Sequence, residues 1–504
     1  MKTKDFLRMI ICGALPLLLA ACHSAHVPEQ YVKSEQLPKI YPDYIDVTVP
    51  VNIAPLTFQM DDGADDMVAR YSFGDDEIVC QGKAQPDLDD WRDLTAKASG
   101  KSISVEVYAE RAGQWTLHKP FSIHVSPDSI DPYLSYRLIS PSYVAYEDLT
   151  INQRCLENYD ESVVYDNMLC TTEEQGQCIN CHNYQQYNPE RMQFHARQNH
   201  GGTVIVYDGE VKKINMKNDS ILSAGVYPTW HPWLKLIVYS TNKTGQTFHT
   251  RDLNKIEVFD SASDLIAYDV DRNEVTNLEK TDDEFEVFPF WAPDGKTLYF
   301  CSAHFEFRDT VSAEIETIQR AYEVKYSIYK KSFDPETRQF GQREMVFDAA
   351  AQDKSATLPR ISPDGRFLLF TLGGWGCFHI WHRDADLWML DLATDSLRAM
   401  NEVNSDDTES YHSWSSNGRW IVFSSRRDDG GYTRPFIAHV DKEGCATRPF
   451  ELPQADPDYH RQLMRSYNIP EFMKGRVTVT PQTFADVLKS DGEPPVKYVN
   501  KLGR

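Results

Sequence analysis

One short block of sequence recurs four times without gaps, and it limits the possible fold more than any other feature of the chain. It reads WHPWLKLIVY from Trp230, WAPDGKTLYF from Trp291, ISPDGRFLLF from Ile361 and WSSNGRWIVF from Trp414. Each copy is a large apolar residue, a polar turn and a strand that ends in an aromatic residue: Tyr239, Phe300, Phe370 and Phe423. Asn, Asp and Gly accept positive φ, so Pro-Asp-Gly and Ser-Asn-Gly predict hairpin turns. A second strand pair follows each block, as in SDLIAYDVDRNEVTNL, YSIYKKSFDPETRQFG, ADLWMLDLATDSLRAM and RPFIAHVDKEGCATRPF. One unit is therefore a four-stranded meander, which cannot bury both its faces alone and must stack on copies of itself.

These units resemble the TolB-type β-propeller repeat, with its Trp-Ser-Pro-Asp-Gly turn and following strand. The resemblance is strong at residues 291–300, 361–370 and 414–423, and weaker at Trp230, where HPWLK replaces the usual turn. Residues 191–216 fit the last three strands of a further unit, and residues 133–165 fit another less well. The expectation is a mainly β chain whose propeller has six blades and covers residues 127–455. In such a meander, loops alternate between two faces. The insertions TNKTGQTFHTRDLNKIEVFDSA, AHFEFRDTVSAEIETIQRAYEV and LGGWGCFHIWHRDA fall on the face opposite the Pro-Asp-Gly turns, which marks that face as a binding surface.

Ahead of the propeller, residues 45–126 alternate apolar and polar positions, as in SISVEVYAER and WTLHKPFSIHV, and predict a small β-sandwich-like domain. Within it, PDLDDWRDLTAKASG predicts one short helix, with an acidic start and Gly100 just past its end. The polar residues 22–44 read as a tether. At the other end, residues 456–504 read as a tail with two short helical patterns that packs on the propeller.

The first residues, MKTKDFLRMIICGALPLLLAAC, have a basic start and an apolar run too short to span a bilayer, as in a secretory signal over residues 1–21. The closing Leu-Ala-Ala-Cys resembles the lipobox of bacterial lipoproteins, which implies acylation of Cys22 and attachment to the membrane through lipid alone. The expected location is the cell envelope, on the periplasm-facing side of the outer membrane. Formal net charge is −23, and the leader is itself basic, so the remainder is more acidic still. That excess repels phosphate backbones and argues against nucleic-acid binding.

The motif that carries chemistry is Cys178-x-x-Cys181-His182, within EQGQCINCHNYQQ. Zinc would need a fourth ligand, for which Cys170 is available. A redox disulfide would want a thioredoxin-like βαβ context, which is missing. A cytochrome c signature fits best: one haem c held by thioethers at Cys178 and Cys181, with His182 as an axial iron ligand. Candidates for the opposite axial position are Met192, His195, His200 and His231, of which Met192 and His195 have opposite parity on one strand. The motif and propeller together resemble exported bacterial lipoproteins with TolB-like propellers and a single c-type haem. That resemblance implies a membrane-tethered monohaem cytochrome-like protein, active in electron transfer or redox sensing, with the propeller docking a redox partner. The alternative is a non-catalytic envelope binding module, in which the propeller binds a protein partner and haem is structural. No Gly-x-Ser-x-Gly is present, and too little chain follows the propeller for a hydrolase domain.

Overall fold

The computed structural model describes residues 25–140, 148–172, 174–308 and 312–503. The signal segment and Cys22 lie outside the described residues. The chain is mainly β, with a propeller preceded by a separate sheet. Among the described residues no helix is long and apolar enough to cross a membrane.

The N-terminal domain departs from the expected sandwich. It is one seven-stranded mixed sheet plus a two-stranded ribbon. Its central strands, Asp66–Phe73 and Ser102–Arg111, are antiparallel, whereas Val32–Lys33 and Thr48–Pro50 join in parallel. The expected helix forms at Leu88–Lys97, capped by Asp87, whose side chain accepts from the Asp89 amide at 2.9 Å. Its Trp91 meets Tyr71 edge-on at 5.7 Å. A second sheet is not needed, because the helix and the propeller already cover the apolar face. Tyr44, Val49 and Tyr71 share one buried cluster with Trp420, Val422, Ile437 and Tyr467 of the propeller. Polar anchors fix the joint: the Trp420 indole donates to the Asp128 carbonyl at 3.2 Å, and the Ser416 amide donates to Asp131 at 2.6 Å.

Four four-stranded sheets of the propeller stand apart: those that begin at Gln177–Tyr184, Ser355–Ile361 and Glu409–Trp414, and one built around Tyr133–Ile139. The meanders that begin at Val226–Trp230 and Glu284–Trp291 are not separate. A single parallel pairing, Ser263 with Phe285, joins them into a nine-stranded sheet. The six expected blades thus form four separate sheets and one sheet that fuses two meanders. The TNKTGQTFHTRDLNKIEVFDSA insertion is not a loop but an extension of two strands, Leu236–Phe248 and Ile256–Asp269, and the joining pair at Ser263 falls just past its end.

Residues 456–504 do more than pack on the ring. Strand Ser466–Met473 pairs antiparallel with Tyr133–Ile139, so the sheet nearest the start of the propeller takes its innermost strand from the end of the chain. Helix Pro481–Lys489 follows, and buries Phe484 and Leu488 against Tyr165 and Phe194. Lys497–Tyr498 then adds in parallel to Glu274–Glu279. The propeller boundary at residue 455 is therefore too early. The second helical pattern is a single turn, Tyr459–Gln462.

Candidate functional site

Six strands line the propeller axis: Gln177–Tyr184, Val226–Trp230, Glu284–Trp291, Ser355–Ile361, Glu409–Trp414 and Ser466–Met473. Each breaks register at the same place with a β-bulge. At each bulge one residue turns left-handed: Cys181, Tyr227, Phe288, Leu358, Tyr411 and Ile469, with φ between 47° and 57°. Such a conformation is costly for non-glycine residues, and for β-branched Ile469 it is an outlier. It persists because it turns six side chains into one waist, around a cavity of about 30 Å³. The next residues are His182, Pro228, Pro289, Pro359, His412 and Pro470, and two positions later come Tyr184, Trp230, Trp291, Ile361, Trp414 and Phe472.

The Cys-x-x-Cys-His motif therefore lies on an inner strand, with Cys181 and His182 at the position where other strands carry Tyr-Pro, Phe-Pro, Leu-Pro and Ile-Pro. Attaching a haem would require Cys178, Cys181 and His182 on one side of the chain, the arrangement a helical turn gives to residues i, i+3 and i+4. The strand separates them. Cys178 is half-buried and lines a cavity of about 320 Å³, whereas Cys181 and His182 line the waist cavity, which holds little more than a water. His182 is 1 % exposed, and its ring nitrogens make no hydrogen bond of good geometry, the Ile469 and Ser135 backbone groups being their nearest polar neighbours. Burial, with the Arg137 charge second, pushes its pKa down to about 3, so the imidazole is neutral. Burial likewise pushes the Cys181 thiol up. As placed, these residues do not fit a covalent haem.

The other candidate ligands are dispersed. Met192 packs in the core with Phe194, while His195, on the opposite face of that strand as its parity predicts, bonds Thr203 Oγ1 at 3.0 Å. His200 sits at a turn with φ 53°. His231 is fully buried, bonds the Gly295 carbonyl at 2.9 Å and packs between Trp233 and Trp291. None of the four lines the cavity that His182 lines. The zinc alternative fails on the same ground. Cys170 is held 2.7 Å from the Tyr165 hydroxyl in the core, and no group of three or more His, Cys, Asp or Glu gathers at metal-binding range among the described residues. Cys178 and Cys181 are both free thiols, not a disulfide.

The waist divides the channel. On the face of the Pro-Asp-Gly turns lies a cavity of about 100 Å³, bordered by Trp230, Trp291, Trp414, Arg360 and Glu471. Burial, opposed chiefly by the charge of Arg360, raises the Glu471 carboxyl to about 7. On the other face the 320 Å³ cavity opens among the insertions, as the distribution of long loops predicts. The first insertion supplies Thr244, Gln246 and Ile256, and the third supplies Phe378 and Trp381. Sequence reasoning missed this cavity, because Arg137, Tyr411 and Asn468 come from three distant strands in two sheets and share no motif.

No family model matches the chain, and no curated protein matches it. Solved structures of low similarity do. The β-propeller domain of the Trilobed protease from Pyrococcus furiosus is 11% identical over 67% of this chain and 79% of that one, with a TM-score of 0.30. Prolyl oligopeptidase B from Galerina marginata is 9% identical over 70% of this chain, with a TM-score of 0.35, and the match spans 42% of that chain. A DUF4784 family protein from Bacteroides caccae is 9% identical over 74% of this chain and 97% of that one, with a TM-score of 0.25.

Proposed function

We propose that this chain is a non-catalytic binding module of the cell envelope, tethered by lipid on Cys22, whose six-bladed propeller takes a ligand at the loop-bearing mouth of its channel. The six bulged inner strands support the blade count. The observation that carries the function is the 320 Å³ cavity itself, which residues from several sheets line together and which has the size of a small-molecule site. Its walls combine aromatic side chains, Tyr227, Phe378, Trp381 and Tyr411, with a few polar groups, the usual composition of such sites. The waist seals its inner end, so a ligand enters and leaves by one face, and a partner protein in the envelope would dock on the loops around that opening.

Electron transfer is not part of this reading. It would need a haem on Cys178, Cys181 and His182, and the strand that carries them separates the three. Two experiments test the proposal. Metabolic labelling with a radioactive fatty acid should mark the wild-type protein, and Cys22→Ala should leave it unlabelled and released from membranes or unprocessed. A pyridine haemochrome spectrum of protein matured with c-haem assembly machinery should show no covalent haem; stoichiometric haem would overturn the reading.

A further inference from the structure

The mouth cavity has a charge pattern unlike the rest of the molecule. The chain holds 75 acidic against 52 basic residues, yet among the described residues no Asp or Glu lines this cavity, while Arg137, Arg197 and Arg426 all do. Arg137 is 7 % exposed. It donates from Nη1 to the Ile179 carbonyl at 3.0 Å and from Nη2 to Asn468 Oδ1 at 3.2 Å, and its buried Nε has no acceptor. Both acceptors are neutral. Among the described residues no counter-charge meets this buried guanidinium, and supplying one from a ligand recovers part of its desolvation cost on binding.

Arg426 is 4 % exposed, lies over the Trp381 ring at 3.0 Å from its centroid, and donates to the Gly430 carbonyl at 3.3 Å. The stacking fixes the plane of its guanidinium. Arg197, exposed at the rim, extends the same positive field outward. Guanidinium forks match the paired oxygens of a carboxylate or phosphate, and a ring of them in an acidic protein selects against cations. The facing wall of Tyr227, Phe378 and Tyr411 suits a flat apolar body.

We propose that this cavity binds a small organic oxyanion, its acid group held by Arg137 with Arg426 and Arg197, and its flat body laid against Tyr227 and Tyr411. The proposal rests on the binding-module reading. Isothermal titration calorimetry with naphthalene-2-carboxylate, 2-naphthyl phosphate and uncharged 2-naphthol tests it. At least one acid should bind tenfold or more tightly than 2-naphthol, and the tighter of the two identifies the acid group. Arg197→Gln, at an exposed position, should weaken the acid at least threefold and leave 2-naphthol unchanged. Arg426→Gln should do the same more strongly. If 2-naphthol matches both acids, or the acid is indifferent to both variants, the anion proposal falls and the cavity reading stands. If none of the three probes binds, both fall.

Discussion

His182→Pro is the substitution that separates a ligand from a repeat residue. If His182 is an axial ligand, proline there destroys the site; if it is the bulge residue of an inner strand, proline is what four of the six strands already carry, at Pro228, Pro289, Pro359 and Pro470. The balance can be worked from the structure. A neutral imidazole has one donor and one acceptor, and both are buried here with only poorly aligned backbone neighbours at Ile469 and Ser135, so removing them gains about 1 kcal/mol. Proline keeps three ring carbons, so the lost packing amounts to roughly 1–2 kcal/mol. The ring also restricts the unfolded chain, which favours the native state by about 0.4–1 kcal/mol where the backbone already fits. Stability should therefore stay within about 1 kcal/mol of wild type, or a shift of a few degrees at most in thermal midpoint. Ile179→Pro is the control. Ile179 is fully buried and paired with Ala196, so its replacement should cost about 3 kcal/mol or more through lost packing and a lost ladder bond. Thermal unfolding followed by near-ultraviolet circular dichroism reads both. A His182→Pro protein as damaged as Ile179→Pro would refute the equivalence of the six bulges.

Maleimide labelling with mass spectrometry should find eight reactive thiols in the denatured mature protein, with exposed Cys445 modified first in the native state and Cys178 next; loss of two thiols at Cys178 and Cys181 would signal haem or a disulfide. Burial, opposed by the Thr281 hydrogen bond and aided by Asp264 and Glu284, raises the Glu286 carboxyl from 4.5 to about 8. The unfolded chain then releases this proton first, so its contribution to stability is complete below about pH 4.5 and is lost as pH rises toward 8. Glu286→Gln should remove up to about 4 kcal/mol of that pH dependence, with little change at pH 4.5, and equal stability gains at pH 4.5 and 8 would contradict it. Deletion of residues 456–504 should give insoluble or protease-sensitive protein, because it takes Tyr467, Phe472 and Met473 from the core and leaves Tyr133–Ile139 without its inner partner; a soluble, cooperatively unfolding product would show that the ring closes without them.

The aligned block of apolar residue, turn and strand determined the fold class without any coordinates. Its information is local: a hairpin needs particular residues at particular offsets, and a meander exposed on both faces must stack. The helix at Leu88–Lys97 was legible for the same reason, since cap, acidic first turn and terminal glycine all act within one segment. The opposite parity of Met192 and His195 followed from the period of a strand.

The spacing of the motif carries no information about its backbone. Cys-x-x-Cys-His brings its side chains together on a helical turn and separates them on a strand, and five letters do not say which. A signal for the strand did exist in the sequence. Extending the aligned block three residues upstream gives YPTW, FPFW, LPRI and YHSW, with CHNY and IPEF in the same frame. That frame includes the strand Ser466–Met473, which was assigned to the tail. What no frame could supply is the company that residues keep across the ring. Arg137 and Arg426 are 289 positions apart and line one cavity only because the last inner strand closes against the first sheet. Local rules fix each strand; the charge pattern of the cavity depends on closure, which is a property of the whole ring.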